Sequence, residues 1–238
     1  MNRQQRRMEK RQSRPVTQRP SPAAVQAVFA DAFHHHQAGR LDETVACFRM
    51  AVGLRRDLPE THYNLGTALR EQGALGEAAA CFRTALAIRP DYPEALNNLG
   101  MALRGLGDLE DAVVCYRSAL ALMQDYPAAL NNLGTVLQEQ GELDAAVTCL
   151  RRALALRPGF PAALSNLGMI LVGRGALDEA VTCFREAIGI RPDFPEAHNN
   201  LAMALLAQGD MGAGWEEYEW RSASGGTCRR HTTTWEPR

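Results

Sequence analysis

Cys47, Cys81, Cys115, Cys149 and Cys183 follow one another at steps of 34 residues, each inside a near-copy of one eight-residue string. The copies read VACFRMAV, AACFRTAL, VVCYRSAL, VTCLRRAL and VTCFREAI. A fixed period of this length constrains the fold more than any local motif. Each copy must take the same local structure and meet its neighbours in the same way. From Pro59 the chain aligns with itself without a gap in blocks 59–92, 93–126, 127–160, 161–194 and 195–228. A divergent block, 25–58, precedes them.

Block 93–126 shows what a copy encodes. Leu96, Leu99, Gly100 and Leu103 fall at i, i+3, i+4 and i+7, the apolar face of a helix. Pro93 suits its first turn, where the missing N–H has no partner to lose. Gly107 ends this helix, and Asp108 is placed to cap the next. In the second half Ala112, Cys115, Tyr116, Ala119 and Leu120 form a second apolar stripe, and Pro127 stops it. The predicted unit is a helical hairpin with small residues (Gly100, Ala112, Ala119) where its helices cross closely. One hairpin cannot bury both of its faces, so the copies must stack. Composition agrees: 46% hydrophobic but only 6% aromatic residues favour packed helices over a β-sandwich.

The same landmarks recur in register. They are Leu65-Gly66, Leu99-Gly100, Leu133-Gly134 and Leu167-Gly168, then Phe82, Tyr116 and Phe184, then Pro90, Pro158 and Pro192. In this succession the chain resembles the tetratricopeptide repeat over roughly residues 25–221. The resemblance implies an all-α, right-handed α-solenoid of about six hairpins with disordered termini. The array is expected over 23–221, with repeats 25–58, 59–92, 93–126, 127–160, 161–194 and a degenerate cap at 195–221. A disordered basic arm at 1–22 and a disordered tail at 222–238 flank it. Departures gather at the ends, as in capping repeats: Asp31-Ala32 stands for Leu-Gly, Ala202 for Gly, and Gly214 and Arg221 for alanines.

Several function classes fall away. Net charge is −1, so no global field points to nucleic acid. Seven basic side chains stand against Glu9 within residues 1–20, yet Pro15 and Pro20 with few apolar residues predict a disordered arm there rather than a nucleic-acid site. No apolar run of about 18 residues predicts a membrane span, and no secretory core follows the charged start, which gives a cytoplasmic address and reduced thiols. Phosphate-loop, HExxH and GxSxG motifs are absent from the sequence, so no enzyme and no cofactor are expected. Cysteines spaced one per hairpin are too far apart for metal or disulfide, and are read as small hydrophobes beside the aromatic of their helix. Cys228, in SASGGTC, falls outside that lattice and is expected to be the reactive thiol. His34, His35 and His36 point about 100° apart on a helix and cannot share one metal.

One polar residue recurs on the first helix: Asn64, Asn98, Asn132, Asn166 and Asn200. A column of amides along the concave side of a solenoid offers hydrogen bonds to an extended polypeptide backbone. The other role open to it is a brace between neighbouring hairpins. Tyr63, Arg70, Asn97, Arg104 and Asn131 lie beside the column and differ between blocks, as a specificity surface would. The expected partner is therefore another protein or peptide, and the expected function that of an interaction scaffold. The column also resembles that of the tetratricopeptide arm of O-linked N-acetylglucosamine transferases. GWEEYEWR at 214–221 resembles the junction of bacterial proteins that join such repeats to a glycosyltransferase-like domain. These resemblances imply an alternative, the acceptor-recognition arm of a bacterial glycosyltransferase whose catalytic domain is missing or separate.

Overall fold

The computed structural model describes residues 22–223, and every regular element among them is an α-helix. The twelve helices are α1 (Pro22–Gln37), α2 (Leu41–Leu54), α3 (Pro59–Glu71), α4 (Leu75–Ile88), α5 (Pro93–Leu106), α6 (Leu109–Leu122), α7 (Pro127–Glu139), α8 (Leu143–Leu156), α9 (Pro161–Gly173), α10 (Leu177–Ile190), α11 (Pro195–Gln208) and α12 (Met211–Ala223). The chain forms two compact units that divide between Leu106 and Gly107, so α1 to α5 belong to the first and α6 to α12 to the second. The expected basic arm and the tail with Cys228 lie outside the described residues, except at their inner edges. There α1 already begins at Pro22, and α12 runs to Ala223, two residues beyond the expected end of the array.

In the first unit α1 pairs with α2 and α3 with α4, while α2 also packs on α3 and α4 on α5. The second unit repeats this with α7–α8, α9–α10 and α11–α12, linked by α6 on α7, α8 on α9 and α10 on α11. First helices of neighbouring repeats also touch: α3 and α5 in one unit, and α7, α9 and α11 in the other. Each unit is thus a stack of hairpins of the α-solenoid kind, with one face made of first helices.

The hairpin turns explain the glycine of every block. Gly39, Gly73, Gly107, Gly141, Gly175 and Gly209 all have φ between 71° and 89°, a left-handed conformation that costs other residues a Cβ clash. Around Gly73 the Ala74 N–H reaches the Leu69 carbonyl at 2.8 Å, and the Gly73 N–H reaches that of Arg70 at 3.0 Å. Those are the paired bonds of a Schellman helix end. Proline occupies the first turn of α3, α7, α9 and α11, as the sequence predicts for first helices. The expected cap at Asp108 fails. Asp108 precedes α6 with φ −81° and ψ 67°, and its carboxylate makes no capping bond. Only Asp210 among the equivalent residues adds a side-chain cap, to the Ala213 N–H at 3.1 Å.

Packing follows the small-residue pattern. Phe82, Tyr116 and Phe184 are fully buried, and Leu150 fills the same place in its own repeat. A Cβ on Gly66 would lie 2.8 Å from Phe82 Cε1, one on Gly168 2.6 Å from Phe184 Cε1, and one on Gly134 2.9 Å from Leu150 Cγ. The glycine of α3, α7 and α9 is therefore the socket for the large residue of the helix that follows it. In the last hairpin the small residues change sides. Ala202 takes the glycine position, while Gly214 takes the alanine position, where a Cβ would meet Leu206 Cγ at 2.7 Å. The close crossing survives because one partner still lacks a side chain.

The outer faces carry a lattice of exposed polar pairs at repeat spacing. Arg49 meets Glu77 at 2.8 Å and Arg151 meets Glu179 at 3.7 Å. Gln72 reaches back to Asp42, Arg174 to Asp144 and Gln208 to Asp178. Exposed pairs of this kind contribute about 0–1 kcal/mol each, so they tune register rather than carry stability.

Candidate functional site

The asparagine column resolves into a rule about reach. In each described case the amide N–H donates to the side chain 35 residues earlier, on the preceding first helix. In the first unit Asn98 on α5 donates to the Tyr63 hydroxyl on α3 at 2.9 Å. In the second unit Asn166 on α9 donates to Asn131 Oδ1 at 3.0 Å and to Thr135 Oγ1 at 3.2 Å, both on α7. Asn200 on α11 donates to Ser165 on α9 at 3.4 Å. Asn131 in turn donates to Asn132 Oδ1 at 3.4 Å. The exception proves instructive: the residue 35 before Asn64 is Phe29, which offers no acceptor, and Asn64 makes no side-chain hydrogen bond among the described residues. The brace between hairpins is thus present in the structure. It uses the amide's N–H, while among the described residues the Oδ1 atoms of Asn98, Asn166 and Asn200 accept no hydrogen bond.

The flanking residues separate into two groups. Asn97, Asn131 and Ser165, the residues just before the column, are buried at 5%, 8% and 4% exposure, so they serve the inside of the stack rather than its surface. Asn97 points its Nδ2 at Met101 Sδ at 3.8 Å. Tyr63, Arg70 and Arg104 are half-buried, and Met169 and Met203 stand exposed on α9 and α11. The first-helix face is therefore polar and cationic in the first unit, and carries bare methionines in the second.

Tyr63 anchors a second feature of the first unit. Its ring packs on Phe82 at 6.0 Å and on Tyr92 at 5.0 Å between centroids. The Arg89 guanidinium lies 3.9 Å from the centre of the Tyr92 ring and pairs with Glu60 at 2.9 Å. Tyr63, Tyr92, Arg89, Glu60, Asp91 and Glu94 line a cavity of about 440 Å³. Burial above all pushes the Tyr92 hydroxyl up to about 12, with Tyr63 and the carboxylates Glu60 and Glu94 adding to it and Arg89 opposing. A raised acid favours its neutral form in the fold. Its contribution to stability is whole below the ordinary tyrosine value and is lost as pH rises through about 12. In a difference absorbance titration, Tyr92→Phe is expected to remove a phenolate that appears near pH 12. Loss of a phenolate near pH 10 instead would show Tyr92 to be solvated.

With this geometry in view, comparison with known proteins decides the family. Two family models described as tetratricopeptide repeat match residues 57–125 and 91–159, and 131–193 and 178–219. The chain belongs to the tetratricopeptide-repeat family. Among solved structures, the thermophilic tetratricopeptide-repeat protein TTC0263 of Thermus thermophilus is 26% identical. It has a TM-score of 0.65 over 76% of this chain and 99% of its own. PilW, a type IV pilus biogenesis factor, is 21% identical with a TM-score of 0.77 over 87% of this chain and 96% of its own. YrrB, described as having an unusual peptide-binding site, is 21% identical with a TM-score of 0.56 over 74% and 91%. PilW and YrrB testify to the fold alone. No curated protein matches the sequence.

In this tetratricopeptide-repeat protein the five described cysteines are half-buried, one per second helix. Burial is the first cause that pushes the Cys81, Cys149 and Cys183 thiols up, and neighbouring arginines only partly oppose it. His36 bonds Glu71 at 2.6 Å rather than its neighbouring histidines. Among the described residues no group of three His, Cys, Asp or Glu side chains is arranged to hold a metal ion, and no helix is long and apolar enough to cross a membrane. The Tyr63–Tyr92–Arg89 stack is what sequence inspection missed. The signal available was the Arg-x-x-aromatic spacing at 89/92, 157/160 and 191/194, where each arginine sits over its ring.

Proposed function

We propose that this tetratricopeptide-repeat protein is a non-catalytic interaction scaffold that receives a segment of another protein on the first-helix face of its repeats. The observation that carries this is the split role of the asparagines. In the second unit the N–H groups of Asn166 and Asn200 are committed to the neighbouring helix, which fixes each amide, while their oxygens stay uncommitted on a half-buried surface. Fixed acceptors suit the N–H groups of an extended guest backbone, and preorganisation lowers the cost of binding. The exposed Met169 and Met203 beside them offer adaptable apolar contact. The peptide-binding site for which YrrB is described is consistent with such use. This reading puts the protein in a bacterial cytoplasm with a protein partner, without nucleic acid, membrane or cofactor.

The test must separate bracing from binding. A 12-residue peptide selected from a random library against the full chain provides the guest. Asn166→Ala with Asn200→Ala is expected to weaken that peptide roughly tenfold, at about 0.5–1.5 kcal/mol for each hydrogen bond lost. Ser165→Ala, which removes a brace acceptor and leaves the Asn200 oxygen, is expected to weaken the peptide only by the preorganisation it loses, and so less than the double variant does. Equal affinity of the double variant, with circular dichroism still helical, would move binding off this face.

The second reading, an acceptor-recognition arm for a glycosyltransferase, is favoured by the same asparagine column and by GWEEYEWR at 214–221. It differs in what happens to the guest. A guest captured by the full chain would become sugar-labelled in source lysate supplied with a sugar nucleotide, and labelling would fall when the asparagines are changed.

A further inference from the structure

We propose that the cavity lined by Tyr63, Tyr92, Glu60, Asp91 and Glu94 in the first unit is a subsite for a cationic side chain, lysine or arginine, of the bound polypeptide. This rests on the scaffold reading and adds to it a requirement on the partner's chemistry. The wall is aromatic: two tyrosine rings 5.0 Å apart, with Tyr63 backed by Phe82 and its hydroxyl held by Asn98 at 2.9 Å. The rim is anionic. Glu60, Asp91 and Glu94 face one guanidinium, and that guanidinium is already engaged by Glu60 and the Tyr92 face. Asp91 and Glu94 have no cationic partner among the described residues. Two carboxylates in excess beside aromatic faces create a place where a cation gains from both the ring quadrupoles and the charges.

Arg89 shows that the Tyr92 face accepts a guanidinium. The combination occurs in one block alone. One block later the counterparts of Tyr63, Arg89 and Glu94 are Asn97, Met123 and Ala128, and the next has Asn131 with Gly159 in place of Asp91. A subsite that appears once gives a repeating groove a register. The guest's basic residue would then be set at a fixed distance from the asparagines of the same unit.

Acetylated and amidated Gly-Gly-X-Gly-Gly peptides, with X as Lys, Arg, Gln or Leu, would be titrated into the full chain while the Tyr63 and Tyr92 ring resonances are followed by NMR. The Lys and Arg peptides are expected to bind about tenfold more tightly than Gln or Leu, and Asp91→Asn with Glu94→Gln is expected to abolish that preference. Added salt should reduce it too, since the site is open to solvent. Equal shifts from Lys and Gln peptides, or no shift from any, overturn the subsite. Neither result touches the asparagine reading, which is tested at Asn166 and Asn200 in the other unit with a longer guest.

Discussion

Phe184→Ala is expected to destabilise the second unit by about 3–5 kcal/mol in urea denaturation followed by circular dichroism at 222 nm. Phe184 is fully buried, and its ring fills the space left by the absent side chain of Gly168 on the facing helix. Removing it leaves a void on a backbone that cannot close up, because α9 and α10 are also held by their neighbours α7 and α11. Stacked repeats share stability through their interfaces, so the loss is expected to spread to the adjoining hairpins rather than stay local. A cost under about 1 kcal/mol would show that the ring is not the wedge of this crossing.

Gly168→Ala is expected to be the opposite fault at the same contact. Alanine gains about 0.5–1 kcal/mol over glycine within a helix. Here its Cβ would sit 2.6 Å from Phe184 Cε1 and 2.7 Å from Cζ, closer than carbon atoms can come. Overpacking of this kind costs about 1–3 kcal/mol, so the clash wins. Two comparisons make the test sharp. Gly189→Ala, where nothing lies within 4 Å of the new Cβ, is expected to stabilise. Placed on the Phe184→Ala background, Gly168→Ala is expected to reverse sign and become neutral or stabilising, since the two residues share one contact. Additive costs would refute the socket.

The alternation of small and large residues at 66/82, 134/150 and 168/184 was visible as sequence, since the period places each pair one above the other in every block. The hairpin, its turn glycines and the first-turn prolines were legible for the same reason. They depend on backbone geometry within about a dozen residues, and the residue types that permit that geometry are few. Asp108 shows the edge of such inference. Its position and chemistry suit a cap, but its carboxylate makes no such bond, and among the equivalent residues only Asp210 adds one. The final hairpin teaches the converse. Ala202 and Gly214 each look like a departure, and only their packing reveals an exchange that keeps the crossing close.

By itself, then, the 34-residue period determined an all-helical chain of stacked hairpins, because one repeated local solution with an unburied face can only be completed by copies of itself. It could not determine which half of each asparagine amide is committed, that Asn97 and Asn131 turn inward, or that Tyr63 meets Tyr92 and Arg89 above a carboxylate rim. Those facts depend on side chains distant in sequence converging across a helix interface. Their positions are set by interaxial distance and rotamer, and these exist only once the hairpins have packed.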